Sequence, residues 1–272
     1  MPYEAHPEIE TPPDDTILWR YLNFVKLVDL IERRRLWFAR VDTFEDPLEG
    51  THTDAEFEYL RALPPPSSPV GGPTLAEQYV DMTLKYRETM YVNCWRASVT
   101  ESMAMWDIYA KGSKGSGVVA IKSTIGRLKE TLSAHPRKVF IGRVKYVEWS
   151  RVAWRLNPLP MVMRKDLSYK HEQELRAVLS GLGEGRELPI APYSLSPEGE
   201  HISHWPRGIE ISCDPEKLVT EIVIGPREQE MFEKVLDPML RRYGLAIHVT
   251  ASDRLKARHP SQKLGLPTKG KC

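Results

Sequence analysis

The spacing of apolar residues changes several times along the chain, and each change marks a structural element. Phe24, Leu27, Val28 and Ile31 recur at i, i+3, i+4 and i+7, one face of a helix that Asn23 is placed to cap. On either side, ILWRY (17–21) and LWFARV (36–41) read as strands, the second ended by the acidic turn DTFEDPLEG. A helix is expected near 53–62, a loop over PPPSSPVGGP (64–73), and another helix from Leu75 to Glu88. YVNCW (91–95) and VVAIK (118–122) read as strands separated by a short helix, ESMAMWDIYA (101–110), and a flexible turn, KGSKGSG (111–117). A helix over 124–134, a strand over 138–147 and a long polar loop over about 183–207 follow. The chain closes on TEIVIGP, a helix over about 227–242 with Gly244 just past its end, and LAIHVTA, which together read as a βαβ unit.

This order predicts a mixed α/β (α+β) fold, one domain over 17–251 with a central mixed sheet and the βαβ unit at its C-terminal end. A flexible, Pro- and acid-rich tail is expected over 1–16. A basic tail is expected over 252–272, where Arg254, Lys256, Arg258, Lys263, Lys269 and Lys271 face only Asp253.

One segment carries a charge pattern of its own. In SYKHEQELRAVLS (168–180), Glu172, Glu174 and Arg176 fall on every second residue, with Leu175, Ala177 and Leu179 between. As a strand, it sends two carboxylates and a guanidinium to one face and the apolar residues to the other. The plain reading is a surface ion pair worth about 0.2–1 kcal/mol. A helix over 166–178 would instead set the two glutamates about 200° apart at roughly 100° per residue.

Composition narrows the function classes. Hydrophobic content of 41%, charged content of 28% and a net charge of +1 leave no global field for wrapping nucleic acid. Three cysteines without CxxC spacing fit a reducing compartment, and no signal pattern or membrane-length apolar run is seen, so a cytoplasmic protein with no membrane partner is expected. His201 and His204 are a loop HxxH without a third ligand, and the acidic stretch 42–56 lacks EF-hand spacing, so no metal is expected. KGSKGSG is no phosphate-binding P-loop, because it follows a helix and precedes a strand. No nucleophile elbow is present. Trp106 and Tyr109, three apart on one helix, and Trp95 before them could stack on a flat ring, although packing the core explains them first.

Several short motifs, in order, carry a resemblance. They are Arg20 and Tyr21; Asp46, Pro47 and Glu49; Cys94 and Trp95; Met105, Trp106, Tyr109 and Ala110; and Glu172, Glu174 and Arg176. Across about 17–250 this series resembles the prokaryotic domain of unknown function 2971 family (DUF2971), with Trp95 for its usual Phe and Arg96 for its Ser. The motif order is also similar to that of ADP-ribosyltransferases. That resemblance implies NAD as cofactor, a small-molecule nucleotide ligand, and a toxin or phage-defence setting, the chemistry being ADP-ribosyl transfer or NAD glycohydrolysis. In such a site Glu174 would stabilise the oxocarbenium and Glu172 would orient or deprotonate the acceptor. Arg20 would grip the pyrophosphate, and Trp95, Trp106 or Tyr109 would bound the nicotinamide pocket. The acceptor stays open between protein, nucleic acid and water. Two rival classes remain: a non-enzymatic module binding a nucleotide or partner through Asp46, Glu49 and the aromatics, and a metal-dependent nuclease using Glu49, Glu172 and Glu174.

Overall fold

A computed structural model of the protein describes residues 3–62, 74–112, 117–151, 158–181, 194–195, 201–202, 205–227 and 229–254. The expected loop at 64–73, the centre of the KGSKGSG turn, His204 of the HxxH pair, most of the 183–207 loop and nearly all of the basic tail lie outside the described residues.

The first half runs β1 (Ile17–Asn23), α1 (Phe24–Arg33), β2 (Arg35–Arg40), a 3-10 turn at Val41–Thr43, α2 (Asp54–Ala62), α3 (Leu75–Thr89) and β3 (Met90–Ala97). Then come α4 (Met103–Gly112), β4 (Val118–Thr124), α5 (Ile125–Leu132), β5 (Val139–Arg143) and β6 (Lys145–Val147). The second half holds α6 (Pro158–Met161), β7 (Arg164–Asp166), a 3-10 helix at Leu167–Glu172, β8 (Glu174–Ser180), β9 (Ser194–Leu195) and β10 (His201–Ile202). It ends with β11 (Gly208–Ser212), α7 (Pro215–Leu218), β12 (Glu221–Ile224), α8 (Gln229–Arg242) and β13 (His248–Ala251).

Nine strands form one mixed sheet in the order β11-β2-β3-β1-β4-β12-β13, with β8 paired to β3 and β5 to β8. Within this sheet, among the described residues, only β12 and β13 pair in parallel, joined by α8, as the terminal βαβ pattern predicts. Gly244 follows α8 at φ +68°, a left-handed conformation that glycine adopts without a Cβ penalty. The expected strand 138–147 is two strands, because β5 pairs with β8 whereas β6 turns to pair with β7.

The mixed α/β architecture buries one full face of the sheet. There α1, α5 and α8 lay Leu27, Leu30, Ile31, Ile125, Leu128, Leu132, Phe232, Leu236 and Leu240 over Leu18, Leu22, Ile121, Leu175, Ala177 and Leu179. Asn23 caps α1 as expected, its Oδ1 accepting from Lys26 N at 2.9 Å. The opposite face is covered by two separate groups. One gathers Trp19, Tyr21, Met105, Trp106, Ala120 and Val223 beneath α4, and the other Val41, Met90, Val92, Val162 and Val178 beside α6.

The residues ahead of β1, expected as a tail, lie against the sheet margin formed by β5. Tyr3 bridges Val139, Thr11 Oγ1 donates to Ile141 O, and Arg143 N donates to Glu10 O at 2.9 Å. Ile9 is buried there, and a Cβ on Gly142 would stand 2.2 Å from its Cγ2, so only glycine admits this approach. The unpaired backbone that an edge strand would present is thereby satisfied.

Candidate active-site cleft

The cleft arises from how β3 shares its edges. β8 pairs with β3 continuously from Met90 to Arg96, so β1 and β2 must share the other edge. β2 takes Tyr91 and Val92, and β1 takes Arg96 and Ala97. Asn93, Cys94 and Trp95 are left between two diverging strands, and Asn93 fills part of the gap by donating Nδ2–H to Trp37 O at 2.8 Å. A cleft of about 550 Å³ opens at this wedge, within the usual size of small-ligand sites.

Six of the ten candidate site residues line it: Arg20, Tyr21, Trp95, Tyr109, Glu172 and Glu174. Trp19, Asn23, Lys26, Phe44, Cys94, Arg96, Met105 and Lys165 complete much of the wall. The other four stand behind it. Trp106 is buried under Tyr21, edge to face at a centroid distance of 4.8 Å, so it is core, and its Nε1–H goes to Glu101 at 2.8 Å. Asp46 closes a turn, accepting from Leu48 N at 2.9 Å. Glu49 and Arg176 are buried beneath Glu174.

The expected strand 168–180 is corrected at its start. Asp166 Oδ1 accepts from Ser168 N at 3.0 Å and begins a 3-10 helix that runs to Glu172. Gln173 then turns left-handed at φ 46°, and the strand starts only at Glu174. The two glutamates meet through this turn rather than through strand alternation. Nor is the charged face a wet one: Glu174 is 6% exposed and Arg176 0%, so the surface-pair reading fails.

Beneath the cleft lies a dry ionic cluster. Arg176 donates Nε–H to Glu174 Oε1 at 2.8 Å and an Nη2–H to Glu174 Oε2 at 3.1 Å, and pairs through Nη1 with Glu49 at 2.8 Å. Its Nη1 also donates to Val162 O at 2.6 Å. The Lys165 ammonium stands among three carboxylates, 2.6 Å from Glu172 and 3.4 Å from both Glu174 and Glu49. It also lies 4.6 Å from the centre of the Tyr169 ring.

These contacts drive the two cleft carboxylates apart. Burial alone would raise Glu174, but the Arg176 guanidinium and Lys165 outweigh it and hold the carboxyl at about 2. Glu172 goes the other way, because burial and the neighbouring Glu174 charge raise it more than Lys165 lowers it. Burial would lower Lys165, yet the surrounding carboxylates raise it, so it is firmly an ammonium. Burial and Glu174 push the Cys94 thiol well up, which rules it out as a ready thiolate. Desolvation likewise moves Tyr21 and Tyr109 up to about 12.

Arg20 faces the wedge from the same side of β1 as Leu18 and Leu22, its guanidinium 5.8 Å from the centre of the Trp95 ring. No carboxylate among the described residues pairs with it, and burial pulls its pKa down from the ordinary arginine value. Lys165, Arg96 and Lys26 were not foreseen as lining residues. Arg164 and Lys165 directly follow the buried Val162 and Met163, and a charged pair entering an apolar stretch is the only sequence signal of their burial.

No protein-family model matches the chain, and no curated protein matches it. The DUF2971 resemblance therefore stands on its motifs alone. Among solved structures the chain is similar to "Thermus sp. 2.9 DarT in complex with ADP-ribosylated ssDNA", at 11% identity and a TM-score of 0.39, over 90% of this chain and 97% of that one. It is also similar to the same protein in complex with NAD+, at 11% identity and a TM-score of 0.37, over 89% and 98% of the two chains. Likeness this distant assigns the chain neither a family nor a ligand. No helix among the described residues is long and apolar enough to cross a membrane.

Proposed function

We propose that the cleft binds NAD+ and breaks its nicotinamide–ribose bond, as an ADP-ribosyltransferase or NAD glycohydrolase. One observation carries the reading. Glu174, held ionised at about 2, faces the same cleft as an unpaired, desolvated Arg20 and the rings of Trp95 and Tyr109. Arg20 suits the pyrophosphate and the rings suit the nicotinamide. When the C–N bond breaks, its electron pair leaves on the ring nitrogen and positive charge builds on ribose C1′. A carboxylate already ionised and fixed in place stabilises that charge without reorganising. The acceptor's oxygen or nitrogen then bonds to C1′, and its proton goes to Glu172, whose raised pKa suits it as the base.

The test is nicotinamide release from NAD+, wild type beside Glu174→Gln, with and without EDTA. A loss of about 10²–10³-fold in Glu174→Gln is expected, with no effect of EDTA. Unchanged release in a folded Glu174→Gln protein would falsify the assignment.

A second reading is favoured by the engagement of both Glu174 oxygens with Arg176 and Lys165. If that carboxylate is purely structural, the cleft binds a nucleotide without turnover, and NAD+ raises the melting temperature while no nicotinamide appears. The nuclease reading is disfavoured by Lys165, whose ammonium fills the space between Glu49, Glu172 and Glu174 that a divalent cation would need.

A further inference from the structure

Arg96 occupies the position where the resembled family has Ser, and the structure gives it a specific setting. It is 8% exposed, and its Nη1 donates to His171 O at 2.5 Å. Its Nε–H is buried without a partner, although the residue lines the cleft. Glu174 lies directly across the strand pair from it, yet Arg176 and Lys165 engage that carboxylate, and no ion pair to Arg96 forms among the described residues. Arg164 is a useful contrast. Its Nε–H is also unpaired, but its two Nη groups sit on Glu56 at 2.7 and 3.2 Å, so its charge is met.

The charge of Arg96 is unmet, as is that of Arg20. They reach the cleft from opposite faces of the sheet, Arg20 with Leu18 and Leu22, Arg96 with Cys94 and Glu174. A buried guanidinium and a half-buried one flanking one wedge without an anion are costly, and a guanidinium fork matches phosphate oxygens well. A single phosphate gathers its charged oxygens around one phosphorus, whereas a pyrophosphate spreads them over two linked centres and so spans further between two cations that come from opposite faces.

We propose that Arg96 is the second half of a two-arginine clamp, with Arg20, for two linked phosphates. This deepens the reading of the cleft as a dinucleotide site and rests on it for the ligand class. It makes Arg96 a binding residue and sets the ligand requirement at a diphosphate rather than a monophosphate.

Calorimetric titration of the full chain with inorganic pyrophosphate and with orthophosphate tests this directly. The wild type is expected to prefer pyrophosphate, and Arg96→Gln and Arg20→Gln each to weaken it by about tenfold or more and erase that preference. Equal affinity for the two anions, or wild-type pyrophosphate affinity in Arg96→Gln, would overturn the clamp. A second measurement needs no variant to be stable without its charge. In the wild type the arginine Nε–H resonance of Arg96, assigned with Arg96→Lys, should shift on adding pyrophosphate, and an unmoved resonance overturns the proposal. The nicotinamide assay separates the two ideas. A clamp without nicotinamide release sinks the enzymatic reading alone, whereas release with pyrophosphate binding blind to Arg96 sinks the clamp alone.

Discussion

At the scale of the residue, the central fact is how Arg176 is buried. A guanidinium with no exposed surface is stable only because Glu49 and Glu174 neutralise it and Val162 O takes a further N–H. Arg176→Met leaves Glu49 and Glu174 facing each other with only Lys165 between, and is expected to cost about 3–5 kcal/mol in urea unfolding. Acid should undo this cluster and the separate buried Glu56–Arg164 pair. Glu174 and Glu56 both fall from an ordinary 4.5 to about 2 in the folded protein, so their stabilisation is present above pH 4.5 and lost as pH falls towards 2. Glu172, raised instead, acts in the opposite sense and favours the fold at low pH. Urea midpoints should therefore drop steeply through the acid window, and Glu56→Gln should flatten that drop while lowering the midpoint at neutral pH. A midpoint independent of pH between 5 and 2.5 would contradict this.

At the scale of the element, the turn between the 3-10 helix and β8 sets the site. Gln173 at φ 46° reverses the chain direction between Glu172 and Glu174, and Lys165 on β7 ties the two together. A β-branched residue fits that conformation poorly, so Gln173→Val should lose about 1–2 kcal/mol and Gln173→Gly should not. If both lose equally, the side chain and not the backbone matters there. As a control remote from the cleft, α3 carries a capping box in which Thr74 and Glu77 bond reciprocally. Thr74→Ala should lower stability by about 1 kcal/mol and leave nucleotide binding untouched.

At the scale of the whole molecule, the cleft exists because two strands share one edge of a third. A ligand held across that wedge ties β1 to β3 and favours the folded state by mass action. A non-hydrolysable NAD analogue at about 100 times its Kd should add roughly 2.7 kcal/mol, read as a rise in melting temperature, and a tenfold weaker Arg20→Gln should cut that gain to about 1.4 kcal/mol or less. The elements themselves were legible in the chain, since Leu27 and Ile31, the Asn23 cap, and Gly244 between α8 and β13 are local patterns that short-range sterics and burial dictate. Arg20, Trp95, Tyr109, Glu172 and Glu174 were legible as candidates only through the resemblance their motifs carry, since spacing alone read the glutamates as a surface pair and the rings as core. Their relation to one another was not, and Trp106, Asp46, Glu49 and Arg176 proved to stand behind the cleft wall. The sequence by itself determined most of the strands and helices, though not the 3-10 start of 168–180 or the break in 138–147, and which residues carry charge into them. Tertiary structure alone decided that β1 and β2 diverge along β3, that Lys165 enters among three carboxylates, and that Arg96 meets none among the described residues. Apart from the short reach of Lys165 to Glu172 and Glu174, those facts depend on contacts between residues many tens of positions apart, where no local period reaches, and on the desolvation that only a packed interior imposes.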